Sequence, residues 1–503
     1  MIRVSADHPV KPIHNFWNNI LFHPTDAIED DWGKVILDRV SADNVADTVR
    51  IYTMFEDIVT RDENGVLHYD FTLNDHRLDY LVSRGFDVLL SYAFLPPFLT
   101  ADANMQSAVA KNKTRYKGKM IVTSRCTDYD TWGEICFAYT RHLLERYGLA
   151  RLQRWRFQCY NEPDIGMFFR GDLGGTEADG DERLKDYCKL YKAFADGVTR
   201  ACPDIRIGGP ALAVHDRFLD GFLKYTKENG VRLDFVSFHT YGRGIGNRLK
   251  DGTANFHAEN TLKLHNKHVD VIGKYYRRDE IGLLCDEWGM AAGGFCNIDD
   301  YPEFIVRETS AFAAYMGKMI DAYIRNDVWC DMLSICLSGQ HEMVKDFTGF
   351  RNFFTLHGIA KPIYNEFILM RKVRTTLLDS ASDSTDLAVL PSIDENGLSV
   401  MLAYASAHFD EVLPPLRDTV HIEGVSGKKH IRVWCIDERH TNPYTLAARE
   451  KWGDTFTDEQ IARLKEEGTL KVLEEYDIRA DGSLDIPVTL YDNALCMIEA
   501  QNV

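Results

Sequence analysis

The sequence reads as an α/β chain, a (β/α)8 barrel followed by an accessory antiparallel β-sandwich. Three observations lead there. The first two-thirds alternates short β-rich runs with longer stretches of helical period, the pattern of βα units around a parallel sheet. From about Asp383 the texture changes to short β runs separated by turn residues, which is how an antiparallel sandwich reads. And 503 residues exceed what one barrel ordinarily uses.

The β runs are, in order, His14–Asn19, Thr48–Phe55, Phe86–Phe94, Arg154–Glu162, Ile205–Leu212, Phe235–Tyr241, Ile281–Glu287 and Asp331–Ser338. Amphipathic segments lie between them: Trp132–Tyr147, Arg183–Cys202, Arg217–Asn229, Thr261–Tyr276 and Phe304–Arg325, with apolar residues recurring every three or four positions. Several end at glycine, as in Arg84-Gly85 and Asn229-Gly230, which suits a left-handed helix cap. Eight repeats close a barrel, whereas an open doubly wound sheet shows fewer strands and a glycine-rich first turn. The barrel is therefore placed at 14–360 and the sandwich at 361–503, with residues 1–13 supplying it an N-terminal strand. Its own strands are Leu387–Pro391, Leu398–Tyr404, His430–Ile436, Leu484–Leu490 and Ala494–Ile498, interrupted by a helix at Thr457–Glu467. With no internal repeat and no low-complexity linker, the two parts are expected to pack together.

Composition narrows the function classes. Lys and Arg number 58 against 76 Asp and Glu, a net charge of −18, which argues against a nucleic-acid or anionic-membrane partner. No window approaches the ~18 apolar residues of a membrane span. The 45% hydrophobic and 27% charged content excludes bulk disorder and coiled coil. Met1–Asp7 lacks the basic and apolar regions of a secretory signal, and 11 scattered cysteines make a poor disulfide framework. The expectation is a cytoplasmic chain with free thiols, in which the sequon Asn112-Lys113-Thr114 goes unmodified. Whether it forms a homo-oligomer is open.

Barrel active sites sit at the C-terminal ends of the strands. Strand four ends in Tyr160-Asn161-Glu162-Pro163-Asp164 and strand seven in Cys285-Asp286-Glu287-Trp288-Gly289, so each delivers a glutamate to the same mouth. Alone, such a carboxylate more often caps a helix or pairs with an arginine. Two facing one cleft are the equipment for glycoside hydrolysis, with retention at ~5–5.5 Å separation and inversion at ~6.5–9.5 Å. Strict alternation would turn Asp286 toward the helical shell, away from Glu287. His239 and Tyr241 on strand six share a face and can donate hydrogen bonds into the site. Arg50 and Tyr52 share a face of strand two, and an arginine in an apolar strand calls for an acidic partner whose pKa it would tune. Other constellations fail. His341-Glu342 lacks the second histidine of a zinc-protease helix, and Gly242, Gly244 and Gly246 are followed by Leu249 at the wrong spacing for a dinucleotide loop.

At Asn161-Glu162-Pro163 together with Glu287 the chain resembles the retaining glycosidases of clan A, and neighbouring residues narrow this to glycoside hydrolase family 39, in particular its β-xylosidases. Tyr129-Asp130-Thr131-Trp132, His142, Arg146-Tyr147-Gly148 and Trp155 are similar to that family's signature, as are Asp234-Phe235-Val236-Ser237, Gly358-Ile359-Ala360-Lys361-Pro362 and Ile436–Asn442. The resemblance implies Glu162 as acid/base, Glu287 as nucleophile, Asn161 on the sugar 2-hydroxyl, and no metal or organic cofactor. It implies a small neutral oligosaccharide or glycoside as substrate, with β-xylosidase-like exo action. The chain departs from the family at Tyr52 (usually His), Ser91 (usually Glu) and Cys336, where an aromatic ordinarily ends strand eight. Trp17, Trp288 and Phe94 are the candidates to stack on the sugar instead. β-Galactosidase or α-L-arabinosidase specificity on the same scaffold, and a carbohydrate-binding barrel with weakened catalysis, stay open.

Overall fold

The computed structural model describes residues 1–22, 28, 31–107, 121–242, 258–294, 296–338, 343–406 and 411–502. Residues 112–114, 244, 246, 249, 341 and 342, discussed above, lie outside these.

After β1 (Ile2–Pro12) come β2 (Asn19–Phe22) and β3 (Thr48–Tyr52), then an inserted hairpin of β4 (Val59–Arg61) and β5 (Leu67–Tyr69). The series continues with β6 (Asp87–Tyr92), β7 (Arg156–Cys159), β8 (Arg206–Leu212), β9 (Phe235–Tyr241), β10 (Gly282–Gly289) and β11 (Met332–Leu337). Strands β2, β3 and β6 to β11 run parallel, each beside its successor, and β11 pairs back onto β2 to close a barrel. Helices α1 (Asp31–Ala42), α2 (Thr72–Ser83), α3 (Tyr129–Tyr147), the single-turn α4 (Leu149–Leu152), α5 (Glu177–Ala201), α6 (Asp216–Glu228), α7 (Ala258–Ile272) and α8 (Ser310–Arg325) surround it. Their ends follow capping chemistry: Asp128 accepts the Thr131 N–H at 3.0 Å to open α3, and Thr176 with Asp179 forms a capping box at α5. The α3 and α5 backbones touch where a Cβ on Gly197 would lie 2.3 Å from the Gly133 carbonyl oxygen, so only glycine permits that approach.

Strand ends differ from the sequence reading for local reasons. The first strand is Asn19–Phe22, not His14–Asn19, because the Asn15 side chain accepts the N–H groups of Trp17 and Asn18 (3.3 and 3.2 Å) and turns the chain there. The fourth stops at Cys159 because Tyr160 and Glu162 adopt positive φ, 69° and 45°.

The chain then runs through α9 (Pro362–Met370) into β12 (Thr376–Ala381), β13 (Leu387–Asp394), β14 (Gly397–Tyr404) and β15 (Leu416–Ile436). Helices α10 (Pro443–Arg449) and α11 (Asp458–Glu467) precede β16 (Glu474–Leu490) and β17 (Ala494–Asn502). Instead of two separate sheets, these strands and β1 make one seven-stranded, mostly antiparallel sheet in the order β1-β12-β13-β14-β17-β15-β16. The first part of β15 pairs in parallel with β1 and the second part pairs with β17, so the sheet curls back on itself around a core that includes Val4, Leu378, Val400, Ile422, Ile431 and Ile498. The long β15–β16 ribbon was legible only at its apolar ends, since much of its length is exposed and held by the ladder rather than by burial.

The sheet rests on the barrel through α8, which packs on β13, β14 and β17. A Cβ on Gly317 of α8 would meet Leu495 Cδ1 at 2.6 Å, and Lys318 Nζ donates to the carbonyls of Asp386 (3.1 Å) and Ala405 (2.5 Å). One apolar core spans the barrel, its helices and Met401, Leu495 and Met497 of the sheet.

Candidate active site

The β7–α5 loop delivers Asn161 and Glu162 over the barrel mouth. Its left-handed turns carry conformational strain for non-glycine residues, so the surroundings must fix them. The Glu162 N–H donates to Ala211 O (2.9 Å), and the buried Tyr160 hydroxyl donates to Phe168 O (3.2 Å). Asp164 accepts the N–H groups of Ala213, Val214 and His215 at 2.8–3.0 Å, tying this loop to the next.

Glu287 comes from β10 across the barrel. Its Oε1 accepts from Arg50 Nη1 (2.7 Å) and the Tyr52 hydroxyl (2.9 Å), and its Oε2 from the Tyr241 hydroxyl (2.8 Å). Asn161 Oδ1 accepts from Arg50 Nη2 (2.9 Å), and it is 3.0 Å from the Tyr52 hydroxyl. Because Arg50 can only donate, this contact fixes the amide orientation and turns Asn161 Nδ2 away from the arginine. His239 Nδ1 lies 2.8 Å from Glu162 Oε1 and 3.7 Å from Glu287 Oε2. Arg50, Tyr52, Asn161, Glu162, His239, Tyr241 and Glu287 thus converge on one small volume.

The electrostatics separate the two glutamates. Burial pushes Glu162 up, and the negative Glu287 adds to this against the opposing pull of His239. Burial would raise Glu287 too, but His239, Arg50 and Arg351 with the Tyr241 hydroxyl outweigh it and hold the carboxyl well below the usual range. His239 is pushed up to about 10: burial opposes its charge, and the carboxylates of Glu287 and Asp286 overcome burial. One oxygen of Glu162, one of Glu287 and a nitrogen of His239 lie within 4.8 Å of one another. Such a trio has the spacing of a cation site. To bind one, however, His239 would have to surrender the proton it shares with Glu162, and Arg50 and Arg351 would repel the ion. The arrangement is equipped to move protons, since it drives the two carboxyls apart, Glu162 toward holding its proton and Glu287 toward losing it.

Two expected sugar contacts are corrected. Trp17 precedes β2 at the opposite mouth of the barrel: Asn18 O already bonds Asp47, below the start of β3, and Trp17 is one residue further down and buried. The early strand placement had put it near the top. Trp288 is fully buried and meets Phe312 of α8 edge-on at 6.1 Å, facing the helical shell. Phe94 lies beside Tyr52 at 5.7 Å but is covered by Tyr160 and Phe168.

Asp286 is corrected as well. The β9–β10 ladder pairs Cys285 with Phe238 and then Glu287 with His239, so Asp286 is an extra, bulged residue. The bulge interrupts alternation and turns Asp286 inward along with Glu287. Its Oδ2 accepts from Gln158 Nε2 (2.7 Å) and is ion-paired with Arg50, 3.0 Å from Nε.

Gln158 and Arg351 were missed. Gln158 bridges the floor, accepting from Arg50 Nε (3.1 Å) and Ser91 Oγ (2.6 Å) and donating to Ser237 and Asp286. An amide between the apolar residues Phe157 and Cys159 of the fourth β run was the available signal, since buried amides must be paired. Arg351, beyond β11, lies with Cζ 4.9 Å from the Tyr241 ring centroid and lowers Glu287; no periodicity or motif marks it. Cys336 stands near Tyr241 and Glu287, its thiol pushed up mainly by burial. All 11 cysteines are free, and all but Cys296 are buried.

Known proteins resemble the chain in sequence and in fold. The chain is 24% identical over 453 residues to a β-xylosidase of Caldicellulosiruptor saccharolyticus, covering 86% of this chain and 84% of that one. It is 26% identical over 264 residues to human α-L-iduronidase, 48% of this chain and 36% of that protein. A monomeric β-xylosidase from Caulobacter crescentus CB15 shares the fold with a TM-score of 0.83 at 19% identity, over 100% of this chain and 99% of that one. The family model for glycosyl hydrolases family 39 matches residues 1–485. The chain belongs to glycosyl hydrolase family 39.

Proposed function

We propose that this glycoside hydrolase is a retaining exo-glycosidase that releases a neutral monosaccharide, β-xylosidase-like, from short oligosaccharides or aryl glycosides. The observation that carries the reading is the pair Glu162 and Glu287, whose nearest oxygens fall within 4.8 Å and whose pKa values are driven in opposite directions. That spacing supports retention, being closer to the ~5–5.5 Å of a retaining pair than to the ~6.5–9.5 Å of an inverting one. The ionised Glu287 attacks the anomeric carbon while Glu162 gives its proton to the leaving oxygen. Glu162, now a carboxylate, takes a proton from water, whose oxygen displaces Glu287 and returns the sugar with its original configuration. In this reading Asn161, whose Nδ2 is turned away from Arg50, bonds the 2-hydroxyl, and Arg50, Tyr52 and Tyr241 hold the nucleophile's oxygens. The buried free thiols favour a reducing compartment, the cytoplasm.

Time-resolved proton NMR on a panel of nitrophenyl glycosides tests this. A β-xyloside, β-galactoside or α-L-arabinoside should yield product first in the substrate's own anomeric form. Inverted product would contradict the mechanism, and saturable binding without release would favour a binding barrel. A second reading concerns the sugar. Arg351 Nη1 is buried without a partner beside Tyr241, which favours an anionic substituent, and a uronoside supplies one. The name of the iduronidase relatives is consistent with that reading. If Arg351→Ala raises KM for a nitrophenyl uronoside far more than for the xyloside, beyond the loss in kcat common to both that a perturbed Glu287 brings, the anionic sugar is the substrate.

A further inference from the structure

Two buried polar atoms next to the acid/base have no hydrogen-bond partner among the described residues: His239 Nε2 and Asp286 Oδ1. They face each other at 3.7 Å, the donor side of an imidazole toward a free carboxylate oxygen, and both side chains are fully buried. Unpaired donors and acceptors sealed from water are costly, and two complementary ones this close relieve that cost by approaching about 0.5–1 Å. Asp286 reaches this position only because the β10 bulge turns it inward, and its other oxygen is anchored by Arg50 and Gln158.

We infer that Asp286 is a positioning residue of the proton-transfer machinery: it closes on His239 Nε2–H and completes a chain Asp286–His239–Glu162 that keeps His239 an imidazolium throughout turnover. This rests on the reading of Glu162 as acid/base. The consequence falls on the second half-reaction. Once Glu162 has lost its proton to the departing oxygen, it is a buried carboxylate, and the Nδ1–H of a cationic His239 is the donor that stabilises it until it takes a proton from water. The other charged and titratable groups around His239 are accounted for. Glu287 lies 3.7 Å from Nδ1, Arg50 and Tyr52 of β3 and Tyr241 of β9 bond Glu287, Arg351 stands beyond Tyr241, and Cys336 of β11 stays a thiol. Glu287 becomes a neutral ester in the intermediate. The ionised Glu162 on Nδ1 and Asp286 facing Nε2 are then the anions on the imidazolium, and Asp286 is the one whose charge does not change during turnover. The raised pKa of His239, with Asp286 among its causes, agrees.

The test is nitrogen-15 NMR of histidine-labelled protein, which reads His239 directly whether or not hydrolysis is detected. His239→Gln identifies the signal. In the wild-type protein both ring nitrogens should stay protonated from pH 6 to 9, and a ring already neutral at pH 7.5 overturns the proposal without any need for an Asp286 variant. In Asp286→Asn, His239 should titrate at least one pH unit lower. The same variant should lower kcat more than kcat/KM, because deglycosylation becomes limiting, and should move the basic limb of kcat/KM upward as Glu162 loses its cationic neighbour. A folded Asp286→Asn protein with an unshifted His239 and an unmoved basic limb also overturns it, and Asp286→Glu should restore the limb in part. If the NMR result holds while no glycoside is cleaved, it is the acid/base reading that fails, not the chain of contacts.

Discussion

Arg50 and Glu287 meet across the barrel at 2.7 Å, Nη1 to Oε1, with the arginine wholly buried. The same guanidinium reaches Asp286, Gln158 and Asn161, so one side chain on β3 links the floor of the site, its nucleophile candidate and the loop that carries Glu162.

Replacing Arg50 with Met should therefore act on both stability and pH dependence. Breaking a buried pair costs about 3–5 kcal/mol, since the partner charge is left behind, and a lowered thermal midpoint reads that out. Arg50 also helps hold Glu287 below its ordinary value. Without it the carboxyl rises, and the acidic limb of kcat/KM should move to higher pH. An unmoved limb in a folded variant would contradict the assignment.

Tyr241→Phe removes a single donor from Glu287 Oε2. A hydrogen bond to a charged group contributes about 1.5–3 kcal/mol to stability, so the thermal midpoint should drop, and a similar loss at the nucleophile should lower kcat/KM roughly 10- to 100-fold. The acidic limb should shift upward here too, though less than in the Arg50 variant.

Glu162→Ala should cost about 10²–10⁴ in kcat with poor leaving groups, the range of general acid catalysis. Activated dinitrophenyl glycosides need no protonation and should keep their first step, with azide accelerating the second and giving a glycosyl azide of retained configuration. Equal losses on both substrate types would argue that Glu162 is structural.

His239 links folding to pH. Its folded value of about 10 lies above the ~6.5 of an unfolded histidine. The stability it contributes is fully present below pH ~6.5 and is lost as pH rises toward 10. The thermal midpoint should therefore decline across that window, and His239→Asn should flatten the decline. Parallel curves for the two proteins would contradict the imidazolium.

Trp17→Ala separates core from cleft. A buried tryptophan lost to alanine costs about 3–5 kcal/mol, so the midpoint should drop while KM stays unchanged. A selective rise in KM would return Trp17 to the substrate.

What could be read from the sequence follows from how each feature is encoded. The barrel was legible because parallel strands buried on both faces write near-continuous apolar runs, as Ile205–Leu212 and Phe235–Tyr241 do, and helices write a 3.6-residue period. The convergence of Glu162, Glu287, His239, Tyr241, Arg50 and Tyr52 was legible because residues at strand ends share a mouth. Asp286 was misplaced because a bulge leaves no mark in a pattern of alternation. Trp17 was misplaced because an Asn15 side-chain turn shifts the strand start by five residues, from His14 to Asn19. Arg351 sits in a segment with neither period nor motif, where only tertiary structure brings it to the site. The curled sheet was read as separate strands because the polar parts of β15 and β16 are held by pairing, which local hydrophobicity does not record.

As the nucleophile of a retaining reaction, Glu287 must form a covalent bond to the sugar. Incubation with a 2-deoxy-2-fluoro glycoside bearing an activated leaving group, followed by peptide mass spectrometry, tests it most directly. The account predicts one fluoroglycosyl unit on the peptide containing Glu287, and none in Glu287→Gln. A label on Glu162 or Asp286, or no label on an enzyme that turns over the parent glycoside, would contradict it.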